Sequence, residues 1–175
     1  METSRGPITL ALHRDWAPRG VDRFYYLLQY RFFDDGRFFR VVKGFVAQFG
    51  LPADARLTES LSLPPLPDDP VRHSNLRGTI SFAHTGQPGS RSTQLFINLQ
   101  NNVQLDACCG PGFAPIGEIV AGVELIDQLN GEYDGEEGPD QESIRVRGNG
   151  YLTQMFPRLD YIKTSKVTRE WRPEG

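Results

Sequence analysis

Phe38-Phe39-Arg40-Val41-Val42-Lys43-Gly44-Phe45-Val46-Ala47-Gln48-Phe49-Gly50 is the stretch on which the fold turns. Two apolar runs, residues 38–42 and 45–49, flank Lys43-Gly44 and predict two strands joined by a two-residue connection. Their Phe and Val content suits a pleated, half-buried surface. One charge, Arg40, and one amide, Gln48, interrupt the apolar pattern. Taken singly, Arg40 reads as an outward-facing surface charge and Phe45 as core.

Upstream, Ile8, Leu10 and Leu12 share one face of a first strand over residues 8–13. Asp15-Trp16-Ala17-Pro18 marks a helix start, with Pro18 early enough that its missing N–H matters little. Val21, Phe24, Tyr25 and Leu28 then recur at helical spacing and predict one core-facing stripe. Asp34-Asp35-Gly36 signals a turn. Downstream, residues 51–77 are rich in Pro, Asp and Ser and read as a long structured loop. Residues 79–83 and 94–98 read as strands on either side of a small and polar loop, 84–92. Residues 117–120 give another strand, 123–129 a short helix and 161–167 a last strand. Two short helices among about eight strands predict a closed or nearly closed antiparallel barrel. The 18 Gly and 13 Pro are spread along the chain as turn punctuation, which agrees.

The 175 residues are one ordinary domain's length, and 38 % apolar with 23 % charged content fits a globular core. A formal charge of −3 gives no electrostatic reason to expect nucleic acid or an anionic membrane as partner. No apolar run approaches the roughly 20 residues of a bilayer span. Met1-Glu2-Thr3-Ser4-Arg5-Gly6 has no apolar signal core, so a soluble chain without a visible targeting segment is expected, its compartment unknown. Cys108 and Cys109, the only cysteines, are adjacent and expected as free thiols, because neighbours close a strained ring. His13, His73 and His84 show no ligand spacing. Glu132, Asp134, Glu136, Glu137 and Asp140 lack the order of a calcium loop and read as a solvated stretch. Neither metal nor cofactor is expected.

Residues 38–50 resemble the signature of the cyclophilin family, Phe-His-Arg-Val-Ile-x-Gly-Phe-Met-x-Gln-Gly-Gly. A second block, Gly78-Thr79-Ile80-Ser81-Phe82-Ala83-His84 followed by Ser92-Thr93-Gln94-Leu95-Phe96-Ile97, is similar to the family's Gly-x-x-Ser-Met-Ala-Asn and Gly-Ser-Gln-Phe-Phe-Ile. A third, Leu105-Asp106 then Ile116-Gly117-Glu118-Ile119-Val120, resembles its Leu-Asp-Gly and Phe-Gly-x-Val pieces. The three blocks stand in family order to about residue 130. Beyond it a variant tail from about 131 looks like a divergent, bacterial-type branch.

The resemblance implies one domain over residues 1–175: an eight-stranded antiparallel closed barrel with two capping α-helices and a peptide groove outside. It implies a peptidyl-prolyl cis/trans isomerase that acts on X-Pro bonds of proteins without covalent chemistry. Carried over from it, Arg40 is the catalytic donor, and Gln48 holds Arg40 or the substrate backbone. Phe45, Val46, Phe96 and Leu105 form a socket for the proline ring, while Ala83, His84 and Gln94 line the neighbouring groove. Phe113 is the nearest equivalent of a family groove histidine that is missing here. Gln104 replaces a family Trp that contacts cyclosporin, so weak cyclosporin binding is expected. Val46 is shorter than the usual Met, and Phe39 replaces the His before Arg40. The rebuilt stretch 104–113 leaves one alternative open: a weakly active or inactive proline-peptide-binding subunit of a larger assembly.

Overall fold

The computed structural model describes residues 1–171. The chain runs β1 (Glu2–Thr3), β2 (Gly6–Pro7), β3 (Thr9–Leu12), α1 (Pro18–Gln29), β4 (Arg40–Val42), β5 (Val46–Phe49), α2 (Arg56–Leu61), β6 (Thr79–Phe82) and β7 (Leu95–Asn98). A 3₁₀ turn, Val103–Asp106, leads to β8 (Pro115–Ala121), which a second, Val123–Gln128, follows. Then come α3 (Gln141–Arg147), α4 (Asn149–Met155) and β9 (Ile162–Thr164).

The strands form two antiparallel sheets, β3-β8-β6-β7-β5-β4 and β2-β1-β9. Neither closes on itself, so the expected eight-stranded closed barrel is replaced by an interrupted ring. The segment ahead of β4 meets the β9 side of the small sheet through isolated bonds: Phe38 N–H to Asp160 O and Ile162 N–H to Gly36 O, both 2.9 Å. Pro7 has no N–H to give a ladder. Asp35, at φ 58°, turns the chain just ahead of the Arg37–Tyr161 bridge, so pairing on that side stays short.

Strand alternation puts Val41, Ala47, Phe49, Ile80, Phe82, Leu95 and Ile97 inside, all buried. The β4–β5 connection is three residues rather than two. Val42 pairs with Val46, Gly44 stands at φ 68°, and Phe45 N–H bonds Val42 O. At the end of the same stretch Gly50 is obligatory: a Cβ there would lie 2.2 Å from Thr93 O.

Helix α1 covers the core with Val21, Phe24 and Leu27. Tyr25, expected on that face, is 40 % exposed and bonds Glu170 through its hydroxyl. Leu27, three residues on from Phe24, takes the inward place because the buried stripe follows the i, i+3 ridge. Ala17 supplies no side-chain cap. Instead the Arg19 and Gly20 N–H groups donate to the Asp69 carboxylate at 3.1 and 2.9 Å, and Arg91 meets it at 3.0 Å. A residue far along the chain thus satisfies the helix start and pins the 51–77 segment to it.

Two expectations about helices need correction. The 51–77 loop contains α2, and the tail contains α3 and α4, so four α-helices among the described residues stand in place of the expected two. Gly148 and Asn149-Gly150 break the tail's apolar periodicity, which hid the α3–α4 pair. Ile144, Leu152 and Leu159 pack there with Phe39 and Leu51 in a second apolar cluster. Phe39 is therefore a buried anchor for the tail, which accounts for an apolar ring beside Arg40. No helix among the described residues is long and apolar enough to cross a membrane.

Candidate active site on the outer face of the sheet

Strand register lines up three of the expected residues. Arg40 lies opposite Gln48, and Gln48 opposite Phe96, so one cross-strand row on β4, β5 and β7 carries all three. Opposed Cβ atoms in such a row stand about 4.5–5.5 Å apart. The row faces away from the Val41, Ala47 and Ile97 core, and Val46, two residues from Gln48, shares its side. Arg40 is exposed. Among the described residues, no hydrogen bond or ion pair engages its guanidinium. The Gln48 amide donates to Gln94 Oε1 at 2.8 Å, and Gln94 in turn to Gln141 Oε1 at 3.0 Å. Gln48 thus bonds Gln94 rather than Arg40, and α3 reaches the site through Gln141.

Beside the row, Val46, Phe96 and Leu105 are buried together, with Phe45, Ala83, Phe113 and Cys108 packed around them. Six of these seven are sequence-expected. Cys108 was missed, because an adjacent thiol pair carries no apolar periodicity. Phe113 meets Phe96 edge-on with centroids 5.4 Å apart and stacks on His84 at 4.0 Å. His84 Nδ1 accepts the Gly86 N–H at 3.0 Å, so Nε2 carries the proton that it gives Gly112 O at 2.9 Å. The imidazole therefore clamps two loops together. Gln104 is exposed on its 3₁₀ turn.

A buried amide network underlies the site, and sequence reasoning did not find it. Asn75, Asn98, Asn102 and Ser81 are each fully buried. Ser81 and Asn98 donate to Asn75 Oδ1 at 2.8 and 3.2 Å. Asn102 donates to Asn98 Oδ1 and to Phe45 O, both at 2.9 Å. Asn75 Nδ2 reaches Asp106 Oδ1 and Phe113 O, both at 2.8 Å. Asp106 also accepts from the Asn75 N–H and the Ser74 hydroxyl. Burial opposes the Asp106 charge, but the Ser74 and Asn75 hydrogen bonds outweigh it and hold the carboxyl below its ordinary range. The available signal was Asn98 at the end of the otherwise apolar Leu95-Phe96-Ile97 run.

The acidic stretch has a position the sequence did not suggest. Asp134 and Glu136, with Tyr133, Phe39, Arg40 and Gln141, line an open cleft of about 340 Å³. Glu132 is engaged elsewhere: Arg158 bonds it at 2.6 and 2.8 Å and, with Asn130, holds its carboxyl down at about 2. Among the described residues, no group of three or more His, Cys, Asp or Glu is placed to hold a metal ion.

The family model for cyclophilin type peptidyl-prolyl cis-trans isomerase/CLD matches residues 1–151, and the chain belongs to that family. It is similar to peptidyl-prolyl cis-trans isomerase A of Dickeya dadantii, 34 % identical over 145 residues, 81 % of this chain and 75 % of that one. To peptidyl-prolyl cis-trans isomerase B of Escherichia coli it is 28 % identical over 145 residues, 80 % and 88 % of the two chains. A cyclophilin type isomerase of Cryptosporidium parvum, solved in the presence of the dipeptide Ala-Pro, matches with a TM-score of 0.63 at 21 % identity. That match covers 81 % of this chain and 90 % of the other. The fold is that of the cyclophilins, mainly β with a few helices, and the activity is peptidyl-prolyl cis-trans isomerisation.

Proposed function

We propose that Arg40 is the group through which this isomerase acts on X-Pro bonds of protein chains. The barrier, roughly 18–20 kcal/mol, comes from conjugation between the imide nitrogen and its carbonyl. A donor aimed at the proline nitrogen favours the pyramidal, single-bond-like nitrogen of the twisted state. That contact is stronger in the transition state than in the ground state, as rate enhancement requires. An acceleration of about 10⁵-fold asks for roughly 7 kcal/mol. A guanidinium suits the task because it stays charged and presents fixed donors.

The observation that carries this reading is the Arg40–Gln48–Phe96 row beside the Val46–Phe96–Leu105 cluster. The cluster, with Phe45 and Phe113, would seat the proline ring. Gln94, Ala83 and His84 would border the extended peptide. The Ala-Pro dipeptide named for the Cryptosporidium protein supports a proline-peptide ligand. Weak cyclosporin binding follows from Gln104 at the socket's loop side. The whole chain acts as one domain, its variant tail seated through Phe39 and Leu51. The alternative, an inactive binding subunit, is not favoured, because the row holding the donor is complete and the relatives are named isomerases.

Isomerisation of a proline tetrapeptide, followed by a coupled protease assay, tests the assignment. Full activity surviving Arg40→Ala would sink it.

A further inference from the structure

The Cys108-Cys109 pair stands at the rim of the socket, and the proposed mechanism does not use it. Both are free thiols: Cys108 is half-buried against the Val46–Phe96–Leu105 cluster and Cys109 is exposed. In extended backbone, consecutive side chains point to opposite sides. Here Cys109 stands at φ 61° and the Cys108 N–H donates to Gln104 O at 3.2 Å, a turn that brings the sulfurs together. Cys109 Sγ lies 2.7 Å from Cys108 Sγ. A disulfide bond measures about 2.05 Å, so closure asks for less than about 1 Å of approach.

We infer that Cys108 and Cys109 form an oxidation site, a dithiol that closes to a vicinal disulfide on reaction with a small disulfide oxidant and so reshapes the loop wall of the proline socket. Exposed Cys109 attacks first: its thiolate displaces one thiol from the oxidant and forms a mixed disulfide. Cys108 then loses its proton to solvent, attacks Cys109 Sγ and expels the second thiol. Two protein thiols are oxidised and the oxidant disulfide is reduced to two thiols. The order fits the surroundings, since burial and the Cys109 thiol push Cys108 up to about 11. The small ring is strained, which places it with labile, readily reduced disulfides rather than structural staples.

The consequence for catalysis rests on the socket reading above. Residues 107–112 hang between Leu105 and Phe113, which are tied by the Phe113 N–H to Leu105 O bond at 3.0 Å. Closing the ring draws Cys108 Sγ away from the apolar cluster and moves both supports of that turn.

The test treats the full chain with glutathione disulfide and reads intact mass, alkylation of residual thiols and proline-peptide isomerisation before and after dithiothreitol. The expected product has lost two hydrogens, takes up no alkylating agent, and has kcat/KM lower by about threefold or more, recovered on reduction. Cys109→Ser keeps its basal activity and is insensitive to the oxidant. A glutathione adduct that never resolves, two thiols still open to alkylation, or a closed ring with unchanged kinetics overturns the proposal. Failure of the socket reading shows separately, as activity that survives Arg40→Ala.

Discussion

The two halves of the site are held by different physics. Arg40, Gln48 and Phe96 sit where the β4-β5-β7 backbone ladder puts them, and that ladder does not depend on their side chains. Leu105, Phe113 and His84 sit on turns held by a few polar contacts: Asn75 to Asp106 and to Phe113 O, and His84 to Gly112 O. The strand half should therefore lose chemistry without losing shape when mutated. The loop half should lose shape and binding together.

Arg40→Ala is the sharpest probe of that division. It should lower kcat/KM by roughly 10²–10³-fold, the scale of a lost transition-state donor, with circular dichroism and the urea midpoint unchanged. Arg40→Lys should recover only part, because a point charge lacks the fork of donors. Asn75→Ala comes next. Among the described residues it leaves the buried Ser81 hydroxyl without its acceptor, at about 1–3 kcal/mol. It also takes one hydrogen bond each from Asn98, which keeps Thr79 Oγ1, and from Asp106, which keeps Ser74 and the residue-75 N–H. A lower urea midpoint with a raised KM is expected, and an unaltered KM would break the comparison.

Asp106 sharpens it through pH. Its folded-state value is depressed, so its contribution is fully present above the ordinary carboxylate range near pH 4 and fades as pH falls through the folded value. The stability gap between the natural chain and Asp106→Asn should therefore be constant at neutral pH and shrink below about pH 4. Urea midpoints against pH read this directly, and a gap that widens in acid contradicts it. The smallest effect belongs to Gln104→Trp. An added aromatic contact and N–H donor should tighten cyclosporin by about tenfold while isomerisation barely changes. Titration calorimetry with cyclosporin decides it.

The strand half was legible before any coordinates. Arg40, Gln48 and Val46 were carried over from the first cyclophilin-like block and Phe96 from the second, not from local periodicity. The loop half was legible as membership but not as mechanism: Leu105 and Phe113 join the cluster, yet Asn75, Asn98 and Asn102 gave no periodic signal. His84 read as a groove or surface residue; its Nε2 ties its loop to Gly112 O while Nδ1 accepts from Gly86 of the same loop. Tyr25 for Leu27, and the hidden α3–α4 pair, are errors of phase and of glycine interruption.

Alternation and turn chemistry, which act between residues a few positions apart, are written into the sequence and determined the strands, the outward row and the inward core. Tertiary structure alone decided that Asp69 caps α1, that Phe39 anchors the tail, and that the acidic loop borders Arg40. It likewise decided that the large sheet's β4 side meets the small sheet's β9 side through single bonds rather than a continuous ladder. Each of these joins residues tens of positions apart, and a buried hydrogen bond or apolar contact across such a distance depends on the packed core, not on local spacing.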